Sequence, residues 1–196
     1  MKHVVRSVAV LLTGLISFGC SDLQTSPRAP QAASYSLGAG PHRRSFSIEG
    51  DIVVAATGQR IHLTGGGSFD PATASNTSGD QTSGHGNGGF SCNSDFSTTL
   101  FAGCATGQGV RWDTEQMLES TPFTCGFPGE KGKTATTSED VIVLNADFYR
   151  AGDGDNASFH AKMFVANGDL EPDFDGIQNV WIQTVGCGTA NVHFSN

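Results

Sequence analysis

The sequence predicts an all-β fold: an antiparallel β-sandwich or partly open barrel, stapled by disulfides, with at most one short helix. Three observations carry that expectation. From Phe46 to the C-terminus, short apolar alternations are separated by Gly, Thr, Ser, Asn and Asp, and long helical periodicity is scarce. The segment AGDGDNA (151–157) joins two of these alternations as a hairpin loop would, which makes them antiparallel neighbours. Four cysteines follow an N-terminal export signal, a pattern that suits disulfides in an oxidising compartment.

The N-terminal segment sets the compartment. Lys2 and Arg6 precede a stretch without acids or bases from Ser7 to Ser21. A charged start and a short apolar core read as a secretory signal over residues 1–19. The core is too short for a transmembrane helix, which needs about 20 apolar residues. Gly19 and Cys20, followed by Ser21-Asp22, resemble a bacterial lipobox, in which the cysteine is acylated. Ser17 and Phe18 depart from that pattern, which usually has Leu and a small residue there. Ser17-Phe18-Gly19 also suits ordinary signal peptidase. Parity favours acylation: of Cys20, Cys92, Cys104, Cys125 and Cys187, lipidating the first leaves an even number.

Residues 20–45 read as a flexible tether rich in Ser, Pro, Ala and Gly, closed by His42-Arg43-Arg44. Residues 46–196 read as a single all-β domain, large enough to bury a core. The whole chain carries a formal net charge of −8. Loss of Lys2 and Arg6 with the signal would make it more negative. Such a surface does not attract nucleic acid or anionic lipid by its charge.

Within the domain, IHLTGGGSFD (61–70) begins as a strand and turns at the glycines. Residues 65–89 hold eight glycines and little to bury, so they read as a long loop or a loop around a strand beginning near Ser68. DTEQMLES (113–120) can start a short helix, capped by Asp113 or Thr114. DVIVLNADFYR (140–150) is the clearest strand, with Ile142, Leu144, Ala146 and Phe148 on one face. SFHAKMFVA (158–166) places Phe159, Ala161, Met163 and Val165 opposite His160, Lys162 and Phe164. IQNVWIQTV (177–185) and ANVHFS (190–195) complete the set.

Four cysteines allow three pairings. Cys92–Cys104 would close a local loop, and Cys125–Cys187 would tie the middle of the domain to its last hairpin. A zinc site is disfavoured because no C-x-x-C occurs.

Candidate chemistry concentrates in two acidic loops. GDGDNAS (152–158) and NGDLEPDFDG (167–176) carry Asp153, Asp155, Asn156, Asp169, Asp173 and Asp175, with Glu171 between them. Oxygen-rich loops of this kind can hold Ca²⁺, although the full EF-hand pattern is absent. The same residues are also ordinary turn formers. A strand separates the loops, so they share a site only if one folds back. No catalytic residues are assigned: nucleophile motifs are absent, and His62, His160 and His193 read as sheet histidines. Trp112, Trp181 and Tyr149 could form a sugar-stacking platform, or the tryptophans could be core.

VVAATGQRIHLTGGGSF (53–69), LNADFYRAGDGDNASFHAKMFVANGDLEPDFDGIQNVWIQ (144–183) and CGTANVHF (187–194) resemble a loose group of uncharacterised bacterial secreted or lipoprotein β-domains. The resemblance implies an all-β fold and no particular activity. The functional expectation is an extracytoplasmic, lipid-anchored protein of the cell envelope with a non-enzymatic binding or structural domain. Its partners would be the membrane, through the anchor, and an unknown envelope or glycan ligand, with no nucleic acid. The alternatives are a Ca²⁺-stabilised carbohydrate-binding module or a small glycan hydrolase using paired carboxylates.

Overall fold

Phe46, Ile48 and Ile52 alternate with Ser47, Glu49 and Asp51, and this period of two decides the architecture: one face of each strand is apolar and must be covered. In a computed structural model, which describes residues 42–54, 58–93 and 105–196, the covering is achieved by closing the sheet on itself. The described residues fall within one compact unit, Leu37–Asn196. The signal segment, Cys20 and most of the tether lie outside the described residues.

The strands are β1 (Arg44–Val54), β2 (Gln59–Phe69), β3 (His85–Cys92), β4 (Gly109–Leu118), β5 (Ser120–Phe123), β6 (Lys133–Thr136), β7 (Val141–Arg150), β8 (Phe159–Ala166), β9 (Val180–Ile182) and β10 (Gly186–Ser195). Eight of them form a closed antiparallel barrel in the order β1-β10-β9-β8-β7-β4-β3-β2, and β5 and β6 make a separate two-stranded sheet. The expected all-β, disulfide-stapled architecture is therefore a closed barrel rather than a sandwich. Its first strand starts at Arg44, two residues before the expected boundary, because Arg44 pairs with Phe69 and its side chain bonds Glu139.

The barrel interior is solid. Phe46, Ile61, Leu63, Phe69, Trp112, Ile142, Leu144, Phe148 and Met163 meet there, each at most 4% exposed. An eight-stranded barrel is just wide enough for side chains to fill it. A second, smaller core lies outside the wall. Val143, Phe164 and Trp181 point outward from β7, β8 and β9, and Leu118, Phe123 and Ala135 cover them where the β5–β6 hairpin folds over. Phe123 meets the Phe164 ring edge-on at 4.8 Å. Burial of this outer patch gives the small sheet its reason to exist, since a lone hairpin is marginal in water.

Cys125 and Cys187 form the expected disulfide, with Cα atoms 4.9 Å apart, and it fastens the segment after β5 to β10. Cys92 is disulfide-bonded. Its expected partner, Cys104, lies outside the described residues.

Two local expectations are corrected. Residues 113–120 are not helical: they form the second half of β4 and the start of β5. A β-bulge between Thr114 and Gln116 inserts Glu115 and resets the alternation. Val110 and Trp112 face inward before it, and Met117 faces inward after it. That break in the period of two is what looks helical in the sequence. Likewise, residues 65–89 are not one long loop. Gly65–Phe69 belong to β2 and His85–Cys92 form β3, leaving 70–84 as the connection, with one 3₁₀ turn at Pro71–Thr73 capped by Asp70. The strand glycines make room for Trp112. A Cβ on Gly65 would lie 2.5 Å from the indole Cζ2, and one on Gly88 would lie 2.7 Å from its Nε1. Residues 177–185 contribute only the short β9. Just before it, Asn179 bonds the Ala190 amide and carbonyl through its side chain, both at 2.9 Å, beside its backbone bonds to Gly188 and Ala166.

Candidate functional site

Because the apolar faces turn inward, the polar side chains of the barrel strands form its outer wall. The register places them in rows. Thr64, Gly89, Arg111 and Tyr149 are cross-strand neighbours on β2, β3, β4 and β7. One row along, Gly66, Asn87, Asp113, Asp147 and His160 run from β2 to β8. The outer wall also carries Glu49, Asp51, Arg60 and Lys162. This is the inverse of a transmembrane barrel, whose outward face is an apolar band. No helix among the described residues is long and apolar enough to cross a membrane.

A shallow groove crosses this wall. Its floor is short residues, Gly89, Ser91 and Gly109, and its margins include His62, Arg111 and Tyr149. The guanidinium of Arg111 sits 4.4 Å over the Tyr149 ring. It also lies 3.8 Å from Asp113 and from Asp155, which reaches over from the β7–β8 loop. Partial burial, followed by the negative charges of Asp147 and Asp113, raises the Tyr149 phenol above its ordinary pKa. Short floor residues beside the stacked cation and ring leave a hollow whose polar groups include His62, Arg111 and the Tyr149 hydroxyl.

Adjacent to the groove, Glu115, Asp147 and His160 come together from three neighbouring strands, with one donor atom of each inside 4.8 Å of the others. His160 Nδ1 lies 2.5 Å from Asp147 Oδ1 and 3.8 Å from Glu115 Oε2. Asn145 donates to Glu115 Oε2 at 2.6 Å. Sequence reasoning read His160 as a sheet histidine and did not single out Glu115 or Asp147. Glu115 reaches the group only because the bulge turns it there, and a bulge has no clear sequence signature.

The six residues expected to hold Ca²⁺ are not brought together. Asp153, Asp155 and Asn156 lie in the loop before β8, and Asp169, Asp173 and Asp175 in the loop after it. An eight-residue strand spans roughly 25 Å at ~3.3 Å per residue, well beyond a shared ion or the ~10 Å of a hydrolytic carboxyl pair. Four of the six make other contacts, Asp155 through its 3.8 Å approach to Arg111. Asp153 accepts from the Ser158 hydroxyl at 2.6 Å. Asp169 accepts from the Glu171 and Gln178 amides at 2.9 and 3.0 Å, which folds its loop back on itself. Asp173 pairs with Lys133 at 2.7 Å. Among the described residues, none of the six belongs to a three-ligand group.

Lys133 also bonds Glu171, which is fully buried, and Glu171 Oε2 has no hydrogen-bond partner among the described residues. Beside it, Glu130 accepts the amides of Cys125, Gly126 and Phe127. This network ties the hairpin segment to the acidic loop.

The aromatic platform is dismantled. Trp112 is inside the barrel, its Nε1 donating to the Thr64 carbonyl at 3.2 Å. Trp181 is 5% exposed beneath the hairpin and donates to the Thr124 carbonyl at 2.9 Å. Only Tyr149 faces the groove.

Fold and surface together describe a small antiparallel barrel with a filled interior and polar side chains on its outer wall. Comparison with known proteins finds no match to a family model, a curated protein or a solved structure.

Proposed function

We propose that this chain is a bacterial cell-envelope lipoprotein whose barrel is a non-enzymatic binding module for a polar ligand of glycan type. Acylation of Cys20 would supply the anchor, and residues 21–43 would hold the barrel away from the membrane. The filled interior is the observation that carries the reading. A barrel with a filled interior leaves recognition to its outer wall, and there the groove presents the Tyr149 phenol, the Arg111 cation and a floor of short residues. Sugars are recognised by this combination of a ring for stacking and polar groups for hydrogen bonding.

The test is binding of soluble envelope polysaccharides and peptidoglycan fragments, followed by calorimetry. Tyr149→Ala should weaken binding by about 0.5–1.5 kcal/mol, the worth of one stacked ring. Binding that ignores both Tyr149→Ala and Arg111→Ala would remove the groove from the proposal. The anchor is tested separately by feeding labelled palmitate to expressing cells. Label should enter the wild-type chain and be absent from Cys20→Ala.

A further inference from the structure

The outer wall holds two histidines flanked by carboxylates, and they differ in one respect that separates a chelate from an ordinary polar pair. On β2, His62 uses opposite ring nitrogens: Nδ1 faces Asp51 Oδ1 at 3.1 Å and Nε2 faces Glu49 Oε1 at 3.9 Å. No single ion can meet both carboxylates and one imidazole nitrogen there. On β8, His160 turns the same atom, Nδ1, toward both Asp147 and Glu115.

We propose that Glu115, Asp147 and His160 form a binding site for a divalent transition-metal ion, with Zn²⁺ as the representative. Bonds of about 2.0–2.1 Å at tetrahedral angles put donor atoms about 3.3 Å apart. The distances from Nδ1, 2.5 and 3.8 Å, bracket that spacing. A ligating Nδ1 must be the unprotonated nitrogen, so the neutral imidazole binds the ion as the tautomer with its proton on Nε2, and the metal bond replaces the Nδ1–Asp147 contact. An imidazole among the ligands favours Zn²⁺ over Ca²⁺, which takes oxygen ligands in greater number. Three protein ligands on an exposed wall leave a fourth position for water or a ligand group.

The surroundings support the assignment. All three ligands stand on paired barrel strands, so the backbone is rigid: Asp147 and His160 are a register pair of β7 and β8. Glu115 is the bulge residue of β4, and bulges re-aim side chains in this way. Asn145 Nδ2 holds the Glu115 carboxylate, as an outer-shell residue orients a ligand. Asp113, opposite Asp147 across β4 and β7, adds negative charge, while Lys162, opposite Asn145, and Arg111 oppose it.

The test uses the untagged full chain with two readouts: Zn²⁺ calorimetry and the visible spectrum of the Co²⁺-substituted protein. One equivalent of Zn²⁺ should bind, and Co²⁺ should give the absorption of a low-coordinate site with a nitrogen ligand. His160→Gln and Asp147→Asn should each weaken binding at least tenfold, and Asn145→Ala by roughly tenfold. His62→Gln should leave binding unchanged, and millimolar Ca²⁺ should not displace the ion. These variants change half-exposed or exposed side chains, and unchanged circular dichroism would show that they fold. Absence of saturable one-to-one binding, binding that survives His160→Gln, or binding lost with His62→Gln would each overturn the site.

Discussion

At the scale of single residues, Lys133 shows how charge holds two loops together. Its ammonium bonds Asp173 and the buried Glu171, and these bonds raise the Lys133 pKa above its ordinary value of 10.5. The hydrogen bond from Lys133, then its charge, lowers Asp173 below its ordinary 3.8. The two shifts bound the pH range of the network. The Asp173 contribution is present above the ordinary carboxylate value and is lost as pH falls through the lowered one. The Lys133 contribution is present below 10.5 and is lost as pH rises through the raised value. Melting temperature should therefore fall at both extremes, and Asp173→Asn should flatten the acid limb in a pH series. Lys133→Ala should destabilise more than Asp173→Asn, because it leaves Glu171 buried without its cation; Lys133→Met with Glu171→Leu should recover much of the loss. Gly65 is a second such residue. Its Cβ would strike Trp112, so Gly65→Ala should cost about 1–3 kcal/mol by urea denaturation. The cost should be smaller, though not abolished, when Trp112 is already Phe, since the indole Cζ2 is then gone while the Asn87 carbonyl oxygen at 2.8 Å remains.

Among the elements, β4 and the β5–β6 hairpin matter most. The bulge at Glu115 lets β4 present Trp112 and Met117 to the same interior although five positions separate them. It also delivers Glu115 to His160. The hairpin covers Phe164 and Trp181 and is fastened by Cys125–Cys187 across 62 positions. In the chain-entropy account a loop of that size is worth about 4 kcal/mol. Replacing both cysteines by serine should lower stability by up to that amount, as measured by denaturant unfolding. The altered chain should also expose the Trp181 patch, read as a red-shifted tryptophan emission. An unchanged unfolding midpoint would mean that the hairpin packing alone holds the fold.

For the whole molecule, the decisive fact is where the polar groups went. Among the described residues the barrel interior is filled by side chains, and the charged groups stand on its outer wall. The two acidic loops lie at opposite ends of β8 and spend their carboxylates on Ser158, Arg111, Lys133 and backbone amides. Melting curves in EDTA and in millimolar Ca²⁺ should therefore coincide. A ligand specific to the folded state would raise stability by about 2.7 kcal/mol at a hundredfold excess over its dissociation constant, so an upward shift with Ca²⁺ would restore those loops as an ion site.

Much of the fold was legible in the chain. The alternations in 140–150 and 158–166 named the inward faces of β7 and β8 correctly, because a residue's side on a strand depends only on parity. AGDGDNA marked their antiparallel turn, and Cys125–Cys187 is one of the three pairings the four cysteines allow. What the chain could not reveal is where parity breaks and what lies across the sheet. The bulge at Glu115 reads as helix until β3 and β7 pair on either side of it. Gly65 and Gly88 read as loop until Trp112 fills the space they leave. Closure of the barrel, the burial of Trp181 and the meeting of Glu115, Asp147 and His160 all join residues far apart in sequence. Local pattern decides which face each residue takes, but only the pairing of strands decides which faces meet.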